Sequence, residues 1–192
     1  MMNLIATKVA PSFDDPLAML LACHERIRAQ CATIHKLVLH LPQHGCDAQA
    51  RQATVAVLRY FDSAGQQHHQ DEELDLFPLL LTTRNQTARP LISQLLNEHE
   101  TMNAAWKQLR PHLIDISENN TDQLDALLAE RFIDAYNNHI ELENTSLLPL
   151  AKTLLTNYQL ENLGIKMSAR RGVTIPTLEN SLLPQHHLSN KH

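Results

Sequence analysis

The sequence predicts an all-α protein, an up-down-up-down four-helix bundle with an irregular C-terminal tail. Three observations carry that expectation. Glycine is sparse, at 4 of 192 residues, while 43% of the chain is hydrophobic. Apolar residues recur at three-and-four spacing in four long stretches, the pattern of helices that each turn one face to a core. The connections between the stretches are short, which favours antiparallel neighbours. At this length one domain with a sizeable core is expected, with an N-terminal extension at 1–13, the bundle at 14–156 and the tail at 157–192.

The first stripe is Leu17, Leu20, Leu21, His24, Ile27, Cys31, Ile34, Val38 and Leu41, in a helix from about Asp14 to Leu41. Pro42, His44 and Gly45 should break it. The second stripe is Val57, Leu58, Phe61, Ala64, His68, Glu72, Leu76 and Leu79, in a helix of roughly 47 to 82. Pro90 suits the first turn of the third helix, whose stripe is Ile92, Leu95, His99, Met102, Trp106, Leu109 and Leu113; Pro111 should kink or end it. SENNTD (117–122) reads as a turn with capping residues. The fourth stripe follows, through Leu124, Leu128, Phe132, Ala135, His139, Glu143, Leu147, Leu150 and Leu154. Beyond about Asn162 the periodicity fades, and Gly164, Gly172, Pro176 and Pro184 mark the tail.

Several function classes drop out on composition. No stretch approaches the roughly 20 apolar residues of a membrane span, and the N-terminus lacks the basic start and apolar run of a secretory signal. Cys23, Cys31 and Cys46 are odd in number and form no CxxC, so they read as free thiols of a reducing compartment, the cytoplasm. A net charge of -5 and a single short basic cluster, Lys166 to Arg171, argue against a nucleic-acid partner.

The chemistry lies in a motif that occurs twice. His68 with Glu72 opens HHQDEELDLFPLL, and His139 with Glu143 opens HIELENTSLLPLA. The copies agree again at Leu76 and Leu147 and at Pro78-Leu79 and Pro149-Leu150. A His and a Glu four residues apart stand one above the other on a single helix face. A fainter repeat pairs LACHE (Leu21–Glu25) with LNEHE (Leu96–Glu100), so the second half of the chain resembles the first. Each of the four stripes thus carries one histidine, His24, His68, His99 and His139, and two carry a glutamate as well. An unpaired buried carboxylate costs several kcal/mol or more unless it is paired, protonated or bound to metal. One such residue alone is a satisfied core histidine as readily as a ligand; six on four core faces point to a metal centre.

Other histidines fit less well. His69 with Glu73 is rotated about 100° from the stripe, onto a face with Asp62 and Gln66 that reads as solvated, so His69 is a supporting or surface residue. His35 lies too far along its helix from His24 to share a site. Pro42 between His40 and His44 places those two in a loop, and His186, His187 and His192 lie in the tail. Mixed imidazole and carboxylate donors suit iron, manganese or zinc better than calcium or magnesium. Four His and two Glu exceed what one zinc takes and match two ions bridged by carboxylates. No Glu-x-x-His occurs, which argues against the ferritin-like di-metal bundles.

A helix-one His, H-x3-E-E with LFP, EHE on helix three and H-x3-E with LP, in that order over residues 14–156, resembles the hemerythrin-like family of HHE cation-binding domains. The resemblance implies that His24 and His68 ligate one iron, His99 and His139 the other, and that Glu72 and Glu143 bridge them beside an oxo or hydroxo group. Oxygen-carrying members have a further His one turn after the helix-three ligand, where this chain has Asn103. Their last ligand pair also has four intervening residues rather than the three between His139 and Glu143. The chain is therefore more similar to bacterial members with four His and two Glu, including iron-sulfur-centre repair proteins. Those repair proteins carry a cysteine-bearing N-terminal domain, for which there is no room before Asp14.

The function expected on these grounds is a non-haem di-iron protein that binds a small diatomic ligand, oxygen or nitric oxide, for sensing, storage or stress protection. An iron donor to damaged iron-sulfur centres, or a metal-stabilised module that docks a protein partner, are the alternatives. No catalytic residue is assigned and enzyme activity is left open, as is the oligomeric state.

Overall fold

The structure, a computed structural model, describes residues 11–173, and these are helical throughout their ordered elements: α1 (Pro16–His44), α2 (Ala48–Phe61), α3 (Ala64–Asp71), a π-helical turn π1 (Glu72–Leu76), α4 (Phe77–Thr82), α5 (Ala88–Ser117), α6 (Ala126–Leu142), a second π turn π2 (Glu143–Leu147), α7 (Leu148–Leu154) and α8 (Asn157–Arg170). None of these helices is long and apolar enough to cross a membrane. The three cysteines are free.

Local chemistry sets the ends. Asp15, Asp47 and Asp125 each cap a helix by accepting a backbone N–H three residues on, from Ala18, Ala50 and Leu128. Thr156 and Gln159 close a reciprocal capping box at the start of α8. Neither Pro42 nor Pro111 ends its helix. Helix α1 runs through Pro42 to His44, because a proline in the last turn removes few hydrogen bonds; Gly45, at φ 67°, ends the helix with its N–H on the Leu41 carbonyl. His40 and His44 are therefore helical rather than in a loop, with ring centroids 4.6 Å apart and His40 paired to Asp47. Helix α5 likewise continues past Pro111 to Ser117.

The segment expected as one helix from 47 to 82 is interrupted twice. At Asp62–Ser63 the chain breaks, and the Asp62 carboxylate accepts from Trp106 Nε1 and from Arg110 on α5. At Glu72 the turn widens, so that the Phe77 N–H reaches the Glu72 carbonyl five residues back; Leu148 reaches Glu143 in the same way. Both π turns stand just before a proline, Pro78 or Pro149. Proline offers no N–H and its ring crowds the carbonyl four residues back, here that of Leu74 or Thr145, and one extra residue in the turn relieves the crowding. The inserted residue also shifts the buried face. Beyond the π turns the core residues are Leu80, Ala151 and Leu155, each one position later than the expected Leu79, Leu150 and Leu154.

In packing, α1 meets α2 and α6, and α5 meets α2 and α6, so these four stretches are neighbours in a closed ring. Two apolar clusters fill the ring. One holds Ile27, Phe61, Trp106, Phe132 and Tyr136; the other holds Leu20, Leu76, Phe77, Leu95, Leu147 and Met167. The four stripe histidines and both stripe glutamates lie where each stretch passes from one cluster to the other, with Ile140 the one core residue of the first cluster that follows its histidine. They form one polar layer across an apolar interior.

The expected irregular tail is corrected for residues 157–170, which form α8. Its face Leu163, Gly164 and Met167 is buried, and it packs on α1, α3 and π1. Short polar spacing hid this face from a periodicity reading. The basic cluster that begins at Lys166 serves the fold: Arg170 and Arg171 pair with Asp71, which is fully buried, and Arg170 and Lys166 pair with Asp75. The remaining residues of the expected tail, His186, His187 and His192 among them, lie outside the described residues. A Cβ on Gly164 would overlap the Phe13 carbonyl oxygen. Gly164→Ala should therefore lower stability by about 1–3 kcal/mol, the usual range for overpacking. Denaturant unfolding measures it, and an unchanged midpoint would contradict this close approach of backbone to backbone.

Candidate metal centre

All six stripe residues meet in the polar layer, each at most 1% exposed. His24 Nε2 lies 3.1 Å from Glu143 Oε2 and 3.9 Å from Glu72 Oε1, and His68 Nε2 lies 3.5 Å from the same Glu72 oxygen. On the other side, His99 Nε2 is 3.5 Å from Glu72 Oε2, and His139 Nε2 is 3.3 Å from Glu143 Oε1. Each carboxylate thus turns one oxygen toward each histidine pair. His99 and His139 bring their Nε2 atoms to 3.1 Å. The donor atoms fall into two overlapping groups, His24, His68, Glu72 and Glu143, and Glu72, His99, His139 and Glu143, each compact enough for one ion.

The remaining ring nitrogens show how the histidines are aimed. His24 Nδ1 donates to Asn144 Oδ1 (2.6 Å), His99 Nδ1 to Glu73 Oε1 (2.6 Å) and His139 Nδ1 to Glu98 Oε2 (2.9 Å). These acceptors cannot donate, so the proton sits on Nδ1 and the Nε2 lone pair faces the layer, the arrangement found around metal-ligating histidines. The residue after each stripe glutamate, Glu73 or Asn144, serves a histidine of the other repeat. The symmetry fails at one place. Glu98 precedes His99, but Cys23 occupies the matching place before His24, and His68 Nδ1 has no partner.

The fit to a metal follows from what is left over. All four oxygens of Glu72 and Glu143, with His24 Nε2 and His68 Nε2, have no hydrogen-bond partner although they are buried. Unpaired buried polar atoms are rare in folded proteins and ask for a bound group; here, converging oxygen and nitrogen lone pairs are the donor set of a transition-metal ion. Protons are the substitute. Burial opposes charge on His24, but Glu143 and Glu72 outweigh it and lift the imidazole to about 10. His139 is lifted to about 9 against the same burial, chiefly by Glu143, while burial and nearby charge hold His68 well below its ordinary value. Burial would raise Glu143, yet His139 and His24 hold its carboxyl well below the usual range.

Sequence reasoning missed part of the surround. His69 is not on a solvated face: it is 4% exposed, and its ring stacks on His99 with centroids 4.1 Å apart. The rings of His99 on α5 and of Tyr136 and His139 on α6 cover the face that helical spacing assigns to solvent. Glu73, Glu98 and Asn144 went unassigned as histidine acceptors, though each adjoins a motif residue in sequence. His35 is exposed and stands apart.

A metal ion and a proton compete for the same Nε2 lone pair, so the apparent affinity for a divalent cation should fall as pH drops below the raised values of about 10 and 9 on His24 and His139. Uptake at pH 7 should release on the order of two protons per chain. An indicator dye in weak buffer reads this directly, and proton-neutral uptake would contradict the assignment.

The sequence matches the hemerythrin HHE cation binding domain over residues 15–151. It is also 33% identical over 172 residues to an uncharacterized protein of Haemophilus influenzae, a match that covers 90% of this chain and 99% of the relative. The layer of histidines and carboxylates lies within the matched span, and the chain belongs to the hemerythrin HHE cation-binding family.

Proposed function

We propose that this protein is a non-haem di-iron protein that binds a small diatomic ligand, oxygen or nitric oxide, for sensing, storage or stress protection. In this reading His24 and His68 hold one iron, His99 and His139 the other, and Glu72 and Glu143 bridge them. The observation that carries it is the pair of carboxylates with four unpartnered oxygens, one oxygen turned to each histidine pair. Manganese or zinc fits the same donors, and metal content decides between them.

Two imidazoles and two carboxylates beside each ion would leave room for an exogenous ligand, and iron held there would supply redox capacity. Asn103, half-buried one turn beyond His99, stands where oxygen carriers of the family have another histidine, which favours ligand chemistry other than reversible carriage. The chain's own residues do the rest. Hydrogen bonds donated by ring Nδ1–H groups to Asn144, Glu73 and Glu98 orient three rings. Phe61, Trp106, Phe132 and Tyr136, packed ring to ring, exclude water from one side. On another side a largely apolar cleft of ≈ 780 Å³, lined by Leu17, Leu21, Leu148 and Leu160, reaches Asn144, the hydrogen-bond partner of His24. It suits the approach of an uncharged diatomic molecule.

The order in which each stretch passes from one apolar cluster through the polar layer to the other supports an up-down-up-down bundle over residues 14–156, with α8 as a brace. Three free thiols support the cytoplasm as its compartment.

Protein purified without oxygen and loaded with iron should bind two ions per chain, and its visible spectrum should shift on adding oxygen, azide or nitric oxide. A protein that stays colourless and iron-free would end this reading. Loading should also stabilise the fold, by about 4 kcal/mol at a free metal concentration 1,000 times Kd. Glu143→Gln should remove most of that gain while leaving the metal-free protein folded, as thermal unfolding with and without metal shows.

A further inference from the structure

We propose that His69, Glu73 and the outer edge of His99 form a third cation position, through which a divalent metal ion is loaded into the buried layer; this rests on the two-ion reading above. One donor atom from each of the three residues comes within 4.8 Å of the others, in a third group that shares only His99 with the two four-residue groups. His69 is buried, and neither of its ring nitrogens has a hydrogen-bond partner. Its ring lies nearly parallel to that of His99, at 13°. Glu73 faces both ways: its side chain is 37% exposed, yet its carboxylate reaches His99 Nδ1 at 2.6 Å.

Each feature has a use in capture. Glu73 is in contact with water and meets a hydrated cation first. His69 then supplies an imidazole nitrogen that nothing else among the described residues uses, and imidazole with carboxylate suits a first-row divalent ion. Packing accounts for a buried ring at this position but not for two unpartnered nitrogens on it.

His99 links the outer position to the inner one. A neutral imidazole has a single lone pair, so His99 binds a cation on Nδ1 or on Nε2, not on both. With the ion outside, the lone pair is on Nδ1 and the proton on Nε2. With the ion inside, Nε2 holds it and the Nδ1–H donates to Glu73, the bond seen here. Transfer inward moves one proton from Nε2 to Nδ1 and changes no net charge on the ring. The outer position and the inner position that His99 serves therefore exclude each other, and the outer one empties as that inner one fills.

Stopped-flow mixing of metal-free protein with cobalt(II), read by visible absorbance, tests this. His69→Phe keeps a stacked ring and removes both nitrogens. It should take up the same final two ions per chain as the native protein but several-fold more slowly, and His69→Gln should recover part of the rate. Native-rate loading of His69→Phe would overturn the proposal. Should that variant fail to fold by circular dichroism, His69→Gln and Glu73→Gln decide: slowed uptake in both supports the position, and native rates in both overturn it. A native chain that takes up no cobalt contradicts the two-ion reading instead, so the two failures are told apart.

Discussion

Two carboxylates held side by side in an apolar interior are the constraint to which the rest of the molecule answers. Desolvating an ion in a protein costs several kcal/mol even after relaxation, and a whole domain is stable by only about 5–15 kcal/mol. Glu72 and Glu143 together therefore represent a burden comparable with the net stability of the fold. Four histidines surround them because imidazole answers that burden in two ways: protonated, it is a counter-charge, and neutral, it is a co-ligand to a cation. The raised values on His24 and His139 belong to the first state, and the Nδ1 anchors prepare the second.

A layer of this kind needs support from both sides. The two apolar clusters provide it, with Leu20 and Leu95 on one flank and Ile27 and Met102 on the other, all buried beside His24 and His99. Support also comes from outside the ring. Asp71, immediately before Glu72, is pinned by Arg170 and Arg171 of the C-terminal helix region. Burial pushes the Asp71 carboxyl up, and the two guanidinium groups only partly offset that. Helix α8 thus grips from outside the same π turn whose glutamate the layer holds from inside.

Much of this was legible in the residues. The six inward-facing side chains followed from periodicity and repetition alone, because a charged or polar group at a core position of a helix is conspicuous whatever the tertiary detail. The α1 and α5 stripes held, apart from Leu21, which lines the cleft, and Val38, which is half-buried while Leu37 takes the core position. What periodicity could not reveal was any departure from 3.6 residues per turn. The one-residue offset beyond Glu72 and Glu143 came from prolines acting on carbonyls four residues back, and His69 is covered by rings on α5 and α6 that spacing along its own helix does not reveal. Helix α8 escaped notice because its buried face is short and includes Gly164 and Ser168, which look like loop residues until a neighbouring backbone is placed against them. The histidine acceptors are contacts between helices, and spacing along one helix does not report those.

The duplicated halves of the chain are alike in their ligands and unlike in what stands behind them. His99 and His139 rest on carboxylates, Glu73 and Glu98, whereas His24 rests on the neutral amide of Asn144, and His68 rests on nothing. A carboxylate behind a ring makes it a stronger donor, so the two halves of the layer differ in donor strength and in freedom of movement although their donors are the same by name. Two ions lodged there would not be interchangeable. A nearly symmetric cradle has acquired a polarity, with one firm, electron-rich end and one looser end, from residues that stand outside the six inward-facing donors.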